Sequence, residues 1–292
     1  MTRPEPAAAA AAKTDLVMTD HVAWADSADG SQKLRVFEVA GGGRWLLRTT
    51  GQTYALGELT AATARPVGDV FALPEGAVAA VPELAAALAG LGTVVRFRTG
   101  TLWEAIGTAI ISQAIRPVRA RQLYQAFCQA HGEVVQVTPG DQFCLFPTPE
   151  QVLALAVDDF RAVGLQSRRT ALQDAASVYQ RQGERWQSLE PRRLVDLLRR
   201  LPGVGPWTAQ VAVTDWSNDW SLYPFSDVTV RTAARLAAPS GSWPTDERLF
   251  ASTWRMHTGP HLSVVTALTL AWANQRQRNT KPARQRDGQV RH

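Results

Sequence analysis

The pattern of apolar and polar residues changes character near residue 100. In Lys33–Ala40 apolar and polar side chains alternate, three glycines follow at 41–43, and Arg44–Thr50 continues as a second stretch of the same kind. Alternation with a period of two is typical of a half-buried β-strand, and glycines between two such stretches indicate a hairpin. A small β-containing domain is therefore predicted over residues 16–95.

From Thr101 onward, apolar residues recur with the period of a helix. Leu102–Ala114 predicts a buried helix and Pro117 the start of the next one. Thr148, followed by Pro149 and then Gln151, predicts a capped helix start. Five more helices are predicted at 191–201, 206–217, 228–237, 246–256 and 261–274. The expected fold class is α+β, mainly α, with a helical domain over residues 96–274.

The two ends of the chain are predicted to be disordered tails. Residues 1–15 contain an alanine run without the long apolar region of a signal peptide. Residues 275–292 hold six Lys or Arg and one Asp, so this tail carries +5, the whole formal net charge of the chain. The tail either adds non-specific attraction to nucleic-acid phosphates or only improves solubility.

The composition argues against several classes of metal-binding and membrane proteins. The chain has two cysteines, Cys128 and Cys144, which indicates a reducing compartment and excludes a four-cysteine iron–sulfur or zinc site. The five histidines are scattered, so no catalytic metal and no cofactor are expected. No apolar run approaches the roughly 20 residues needed to cross a bilayer. A cytoplasmic protein without a membrane partner is expected.

The sharpest local feature is a glycine-rich turn between two apolar helices, Leu201-Pro-Gly-Val-Gly205. Gly203 and Gly205 allow positive φ and carry no β-carbon, so backbone N–H groups can face outward, while Val204 is expected to point inward. The following helix adds the unpaired N–H groups and positive dipole end of its first turn. The turn is predicted to hold a nucleic-acid phosphate; a tight helix–helix turn without a ligand is the alternative.

A carboxylate follows this turn at a fixed distance. Asp227 lies 22 residues after Gly205, directly before a predicted helix. A carboxylate there can cap the helix, and it can also stabilise a developing positive charge or activate a water molecule. Asp215 and Asp219 are competing candidates, although both are predicted to lie in a surface loop.

Leu201-Pro-Gly-Val-Gly-Pro-Trp-Thr-Ala209, followed by Asp227, resembles the helix-hairpin-helix (HhH-GPD) DNA glycosylase superfamily over residues 100–274. Within it the chain looks most similar to 3-methyladenine DNA glycosylase II. The resemblance implies a TBP-like N-terminal domain and a cleft between helical subdomains. It also implies a base excision repair enzyme that flips a damaged base, here expected to be an alkylated purine, out of double-stranded DNA, with Asp227 catalysing cleavage of the N-glycosidic bond.

The residue two positions after Gly205 bears on the type of reaction. Bifunctional members of the superfamily carry a nucleophilic lysine there, whereas this chain has Trp207, whose indole cannot attack C1′. A monofunctional hydrolase is therefore expected, which leaves an abasic site and has no lyase activity. The Trp207 ring is also expected to stack on an electron-poor base; packing in the core is the alternative. Val211 and Val228 complete the expected base pocket, at positions where the branch often has aromatic residues.

Other expected roles follow the same resemblance. The phosphate-binding hairpin is expected to comprise Leu201, Pro202, Gly203, Val204, Gly205 and Thr208. The backbone of Leu201 and Val204 is expected to be able to hold a monovalent cation. The candidates for the wedge that fills the gap left by a flipped base are Gln113, Ile115 and Arg116. Arg119 and Arg121 are available, with Arg116, for phosphate contacts.

Two other functions remain open at this level. One is a non-catalytic DNA-binding lesion sensor, and the other is a glycosylase for a deaminated or oxidised base. The expected partner in each case is double-stranded DNA containing a damaged base, bound by a monomer that is nucleoid-associated in the cytoplasm.

Overall fold

The computed structural model describes residues 11–39, 41–138 and 141–280. The chain forms two compact units, each built from two segments. The first unit comprises Met1–Asp69 and Val95–Pro224, and the second comprises Val70–Val94 and Phe225–His292. The predicted domain boundaries, near residue 95 and at the start of each tail, stay predictions.

The strands lie mainly in the N-terminal part of the chain. In the described residues they are β1 (Ala12–Lys13), β2 (Leu16–Val17), β3 (Ala25–Asp26), β4 (Lys33–Glu38), β5 (Arg44–Thr49), β6 (Thr53–Thr60), β7 (Gly68–Phe71), β8 (Val94–Phe97), β9 (Val134–Gln136) and β10 (Gln142–Cys144). One sheet has the order β1-β6-β5-β4-β3, a second has the order β2-β8-β7, and β9 pairs with β10.

The predicted hairpin is present as β4 and β5. The two strands are antiparallel, with Val36 opposite Leu46. Gly41 and Gly42 in the connection have φ of +85° and +80°, a region that glycine enters at no steric cost. Phe37 and Leu47 are fully buried beneath the sheet because alternate residues share one face. The prediction of this hairpin is confirmed.

The helices are α1 (Pro82–Ala89), α2 (Leu102–Ile111), α3 (Pro117–His131), α4 (Pro149–Ala154), α5 (Val157–Ala162), α6 (Arg169–Gln187), α7 (Pro191–Leu198), α8 (Pro206–Ser217), α9 (Val228–Ala237), α10 (Glu247–Thr258) and α11 (Leu262–Thr280). Short 3-10 helices occur at Gln166–Arg168, Trp220–Leu222 and Gly259–His261. The predicted α+β, mainly α, fold class is confirmed.

Helix α2 is the centre of the helical part of the first unit. All ten of its residues are buried, because it packs against both α6 and α8. Thr101 caps it by accepting a hydrogen bond from the Glu104 N–H at 3.1 Å. Thr148 and Gln151 form the predicted capping box at the start of α4. These caps satisfy N–H groups that have no acceptor inside their own helices.

The helices of the second unit enclose an aromatic core. Phe250 stacks on Trp254 at 5.7 Å between ring centroids, and Trp243 lies 5.6 Å from Trp254. Helix α1 belongs to this unit and packs against α9 and α11. The sequence pattern assigned β character to the whole of 16–95 and missed α1, whose apolar residues are mostly alanines that suit a helix but form no strong stripe.

The structure differs from the prediction at both ends. Ala12–Lys13 forms β1, which pairs with Thr53 and Tyr54 of β6, so part of the segment 1–15 is held by an exposed sheet edge. At the other end α11 continues to Thr280, because residues 275–280 lack a helix breaker before Pro282. The rest of the two predicted tails, 1–10 and 281–292, lies outside the described residues. In the part of the chain that is described, no helix is long and apolar enough to span a bilayer.

Candidate nucleic-acid interface

The predicted turn between two helices is present as a hairpin of α7 and α8. The Leu201 N–H donates to Leu198 O at 3.0 Å, and the Val204 N–H donates to Leu201 O at 3.1 Å. Val204 is buried in the core cluster of the first unit, as predicted, and fixes the turn from the inside. Pro202, Gly203 and Gly205 are exposed, so the opposite side of the turn is open to solvent.

The two glycines of the hairpin have different roles. Gly203 has φ +74°, and a β-carbon there would lie 2.7 Å from the β-carbon of Ala171. Gly205 has φ −80° and ψ 176°, an extended conformation that any residue adopts, so its predicted positive φ is not found. A β-carbon at Gly205 would meet no protein atom within 4 Å. Gly203 is therefore required by the fold of the turn, whereas Gly205 leaves the approach to the start of α8 open.

Gln113 contacts the hairpin from the end of α2. Its side-chain Nε2 donates to Gly203 O and to Thr208 Oγ1, each at 2.8 Å. The Gln113 carbonyl in turn accepts from Arg168 Nη2 at 2.5 Å. Gln113 is one of the predicted wedge candidates, whereas no local sequence pattern indicated a role for Arg168. Gln113 thus bonds residues that lie 90 and 95 positions further along the chain, and Arg168, 55 positions from Gln113, holds the Gln113 backbone.

Thr208 and the carbonyl of Leu201 are also engaged inside the protein. The Thr208 residue is only 2% exposed, and its hydroxyl accepts the Gln113 hydrogen bond. The Leu201 carbonyl accepts from Val204, which leaves a second lone pair on that oxygen. The predicted phosphate contact of Thr208 and the predicted cation site at Leu201 and Val204 stay predictions.

The remaining wedge candidates lie just after α2. Ala114 is exposed with φ +55°, a left-handed conformation that is unusual for a residue with a β-carbon. Ile115 packs partly against the core cluster, and Arg116 is exposed immediately before α3. By contrast, Arg121 donates to Trp24 O at 2.7 Å, so this arginine connects α3 to the N-terminal segment.

Two of the predicted base-pocket residues lie on α8. Trp207 is half-buried in the first turn of the helix, and Val211, one turn later, packs partly against the core cluster. A half-buried tryptophan retains ring surface that a planar ligand can contact.

Asp227 belongs to the second unit, where it caps α9. Its Oδ1 accepts from the Thr229 N–H at 2.8 Å. The residue is half-buried, and Val228, the next residue, is 61% exposed. The capping bond fixes the carboxyl group at the helix start, where the helix dipole stabilises its negative charge.

The competing aspartates are both used structurally. Asp219 caps the 3-10 helix at Trp220–Leu222 by accepting from the Ser221 N–H at 3.0 Å. Asp215 is buried at the end of α8, and its Oδ1 accepts from Arg96 Nη2 at 2.5 Å. The predicted surface loop is therefore wrong for Asp215, because the charge of Arg96, distant in sequence, compensates a carboxylate inside the protein.

Arg96 also pairs with Asp20 and Asn218. Its Nη2 lies 3.2 Å from Asp20 Oδ2, and its Nη1 donates to Asn218 Oδ1 at 2.6 Å. Burial opposes ionisation of Asp20, but the charge and hydrogen bonds of Arg96 outweigh it and hold the pKa of Asp20 below its usual value. At Asp215 burial prevails, and the pKa of that carboxyl is raised.

No family model matches the sequence, and no curated protein does. Solved structures do match. MBOgg1 in complex with a low-affinity DNA ligand has a TM-score of 0.67 at 16% identity, covering 91% of this chain and 94% of that one. This chain has the fold of the helix-hairpin-helix DNA glycosylases.

Two further structures with this fold are a glycosylase/lyase named for 8-oxoguanine and a glycosylase named for 3-methyladenine. The Clostridium acetobutylicum 8-oxoguanine glycosylase/lyase, with double-stranded DNA containing cytosine opposite 8-oxoG, has a TM-score of 0.65 at 17% identity, covering 89% of this chain and 90% of that one. The 3-methyladenine DNA glycosylase from Archaeoglobus fulgidus has a TM-score of 0.60 at 17% identity, with 87% and 90% covered. The predicted superfamily fold is confirmed, while the closer branch stays a prediction.

Proposed function

We propose that this protein is a DNA N-glycosylase that hydrolyses the bond between a damaged base and deoxyribose in double-stranded DNA and leaves an abasic site. The observation that carries the proposal is Asp227. In a chain with the glycosylase fold, its carboxyl group is fixed as the cap of α9, 22 residues after Gly205. Asp215 and Asp219, by contrast, are engaged in structural contacts.

A carboxylate suits this reaction because charge develops on the sugar. As the C1′–N bond lengthens, its electron pair leaves with the base and the deoxyribose takes on oxocarbenium character. The negative charge of Asp227 stabilises that positive charge. Water then forms the new bond to C1′, and its proton passes to Asp227 or to solvent. The capping bond from Thr229 keeps the carboxyl group in place during the step.

Binding of the DNA backbone is assigned to the hairpin. Its exposed side and the start of α8 present backbone N–H groups without a charged side chain between Leu201 and Thr208. A helix start of this kind binds a phosphate without reading the base sequence. This suits an enzyme that must examine bases in any sequence context.

The proposed reaction is hydrolysis without lyase activity. A lyase of this fold needs an amine nucleophile, and the position of that lysine is occupied by Trp207. The sequence contains three lysines in all, Lys13, Lys33 and Lys281, so none lies between residues 34 and 280. Lys33 is paired with Asp26 at 2.5 Å. Water is therefore the proposed nucleophile.

An alkylated purine is the proposed substrate. Methylation at a ring nitrogen makes the purine electron-poor or cationic, and the face of Trp207 attracts such a ring. Trp207 is half-buried, which leaves part of its ring for this contact.

The experiment measures base release from methylated duplex DNA by the wild-type protein and by Asp227→Asn. We expect wild type to release 3-methyladenine or 7-methylguanine and to leave strands intact until alkali is added. Asp227→Asn is expected to lose release by at least about 100-fold, because loss of one electrostatic stabiliser has that effect in other enzymes. Asparagine is also a good helix cap, so α9 should remain folded.

The matched control is Asp246→Asn. Asp246 caps α10 in the same unit by accepting from the Leu249 N–H at 2.9 Å. It should keep full activity, which separates catalysis from capping. If wild type binds the DNA but releases no base from alkylated, deaminated or oxidised substrates, the protein is a sensor. Strand cleavage before alkali would contradict the hydrolase proposal.

A further inference from the structure

A cavity of about 420 Å³ lies in the first unit, and residues of β4, β10, α2 and α3 are among those that line it. Its size falls in the range of about 300–1,000 Å³ that is typical of small-molecule sites. None of its lining residues belongs to the hairpin Leu201–Gly205 or to α8. The cavity is therefore separate from the proposed DNA-binding surface.

Five aromatic rings line this cavity: Trp103, Tyr124, Phe143, Phe146 and Tyr179. Tyr124 and Phe146 are stacked at 5.6 Å between centroids, and Trp103 lies 5.6 Å from Tyr179. The Trp103 indole N–H donates to Pro147 O at 2.8 Å, so the ring is fixed in the wall. Walls of this kind favour a planar aromatic ligand.

A buried carboxylate also faces the cavity. Glu104 is 8% exposed, and its Oε1 accepts from Tyr124 Oη at 3.2 Å and from Arg35 Nη2 at 3.3 Å. Among the described residues, no hydrogen bond reaches its other oxygen, Oε2. Oε2 can therefore accept a hydrogen bond from a ligand in the cavity, and a hydrogen bond to a charged acceptor is stronger than one to a neutral acceptor.

A second carboxylate, that of Glu38, also lines the cavity and also favours a ligand that donates a hydrogen bond. Glu38 lies 3.8 Å from Arg44, and burial raises the pKa of its carboxyl group. Both carboxylates accept hydrogen bonds when ionised, so an amino group suits the cavity and an anion does not.

We infer that this cavity binds a free purine-type base bearing an amino group, with the ring against the aromatic side chains of the wall and the amino group donating to Glu104 Oε2. The site is additional to the base pocket proposed for the flipped nucleotide, and the inference does not rest on the glycosylase activity. Its ligand belongs to the same chemical class as the base that the proposed reaction releases.

The first test compares two small ligands by isothermal titration calorimetry with the full chain. 9-Methyladenine and 9-methylpurine have the same rings and a blocked ring N–H, but only the first has an amino group. We expect 9-methyladenine to bind one to one, and 9-methylpurine to bind on the order of tenfold more weakly or worse, because a hydrogen bond to a charged acceptor is missing. Equal binding, or no binding of 9-methyladenine, overturns the inference.

The second test locates the site. Gln125 on α3 lines the cavity and is half-buried, so Gln125→Trp should fill the space and abolish binding. Gln122→Trp, on the exposed side of the same helix, is the matched control and should bind normally. Trp207→Ala should also bind normally. Loss of binding in Trp207→Ala with retention in Gln125→Trp would place the base in the proposed catalytic pocket and overturn the inference.

Discussion

Helix α8 has two ends that are built from different chemistry. Its N-terminal end follows the hairpin, where no side chain between Leu201 and Thr208 carries a charge. Its C-terminal end holds Asp215 and Asn218, which pair with Arg96 of β8. The charged side chain at the C-terminal end forms an ion pair inside the protein. The N-terminal end instead has exposed glycines, whose neutral backbone is open to solvent. Small and apolar residues thus form the surface for which phosphate binding is proposed, while the charged residues hold the fold together.

The largest expected effect is at the C-terminal end of α8. Arg96→Met should lower the free energy of unfolding by about 3–5 kcal/mol, because Asp20 and Asp215 would be left buried without their compensating charge. Chemical denaturation followed by circular dichroism measures the change. The control is Arg98→Met, one residue after the end of β8. Arg98 pairs with Asp69 at 2.7 Å but is about a third exposed, so its removal should cost at most about 1 kcal/mol. Equal costs for the two variants would contradict the role given to the Arg96 cluster.

At the N-terminal end, Gly203→Ala should lower stability by about 1–3 kcal/mol, because a side chain at φ +74° is strained and its β-carbon would approach Ala171. Thermal unfolding measures the loss. Adding Ala171→Gly in a double-mutant cycle should recover the part that comes from the close approach. A cycle without any coupling would show that backbone conformation alone makes Gly203 necessary.

Gln113→Ala tests the contact that joins α2 to the hairpin. The variant should lose about 1 kcal/mol, since two hydrogen bonds are removed but water can replace the one to the exposed Gly203 carbonyl. Hydrogen exchange should become faster in the hairpin and stay unchanged in the second unit. The neighbour Ala114→Gly is the comparison. Because glycine accepts φ +55° without strain, that variant should be as stable as wild type or slightly more so. If hydrogen exchange in the hairpin is unchanged in Gln113→Ala, Gln113 does not stabilise the hairpin, and its predicted role as a wedge is the one that stays open.

Local sequence patterns predicted the N-terminal end of α8 better than the C-terminal end. The helices predicted at 206–217 and 228–237 have those bounds in the structure, and Val204 is buried as expected. A proline, paired glycines and a capping aspartate act on residues a few positions away, so their effect is readable from the chain.

The contacts that the sequence did not reveal join distant segments. Asp215 and Arg96 are 119 positions apart, and Gln113 and Gly203 are 90 apart. Neither pair leaves a periodic signal, so Asp215 resembled a loop residue and Gln113 resembled an exposed one. Such pairs form only when the chain packs, so their hydrogen bonds and ion pairs cannot be predicted from residues that are near in sequence.

A very small effect on stability is expected at Gly205, where a substitution tests the proposed phosphate contact at the N-terminal end of α8. Gly205→Ala should change the free energy of unfolding by no more than about 0.5 kcal/mol, since its φ is ordinary and the added β-carbon meets no protein atom. If a phosphate approaches the start of α8 there, the same methyl group should weaken binding of undamaged duplex DNA on the order of tenfold. The salt dependence of binding should keep its slope, because no cationic side chain is lost. Fluorescence anisotropy at several salt concentrations measures both quantities.

The control for that measurement is Gly90→Ala, at the end of α1. Gly90 has φ −64°, and a β-carbon there makes contacts of 3.6 Å, so this variant adds a methyl group to another exposed helix end at equally low cost. It should bind DNA as wild type does. A Gly205→Ala protein that is stable and binds DNA normally would show that the open side of the hairpin is not where the phosphate lies. The neutral end of α8 would then be only a tight turn, and the functional contrast between its two ends would disappear.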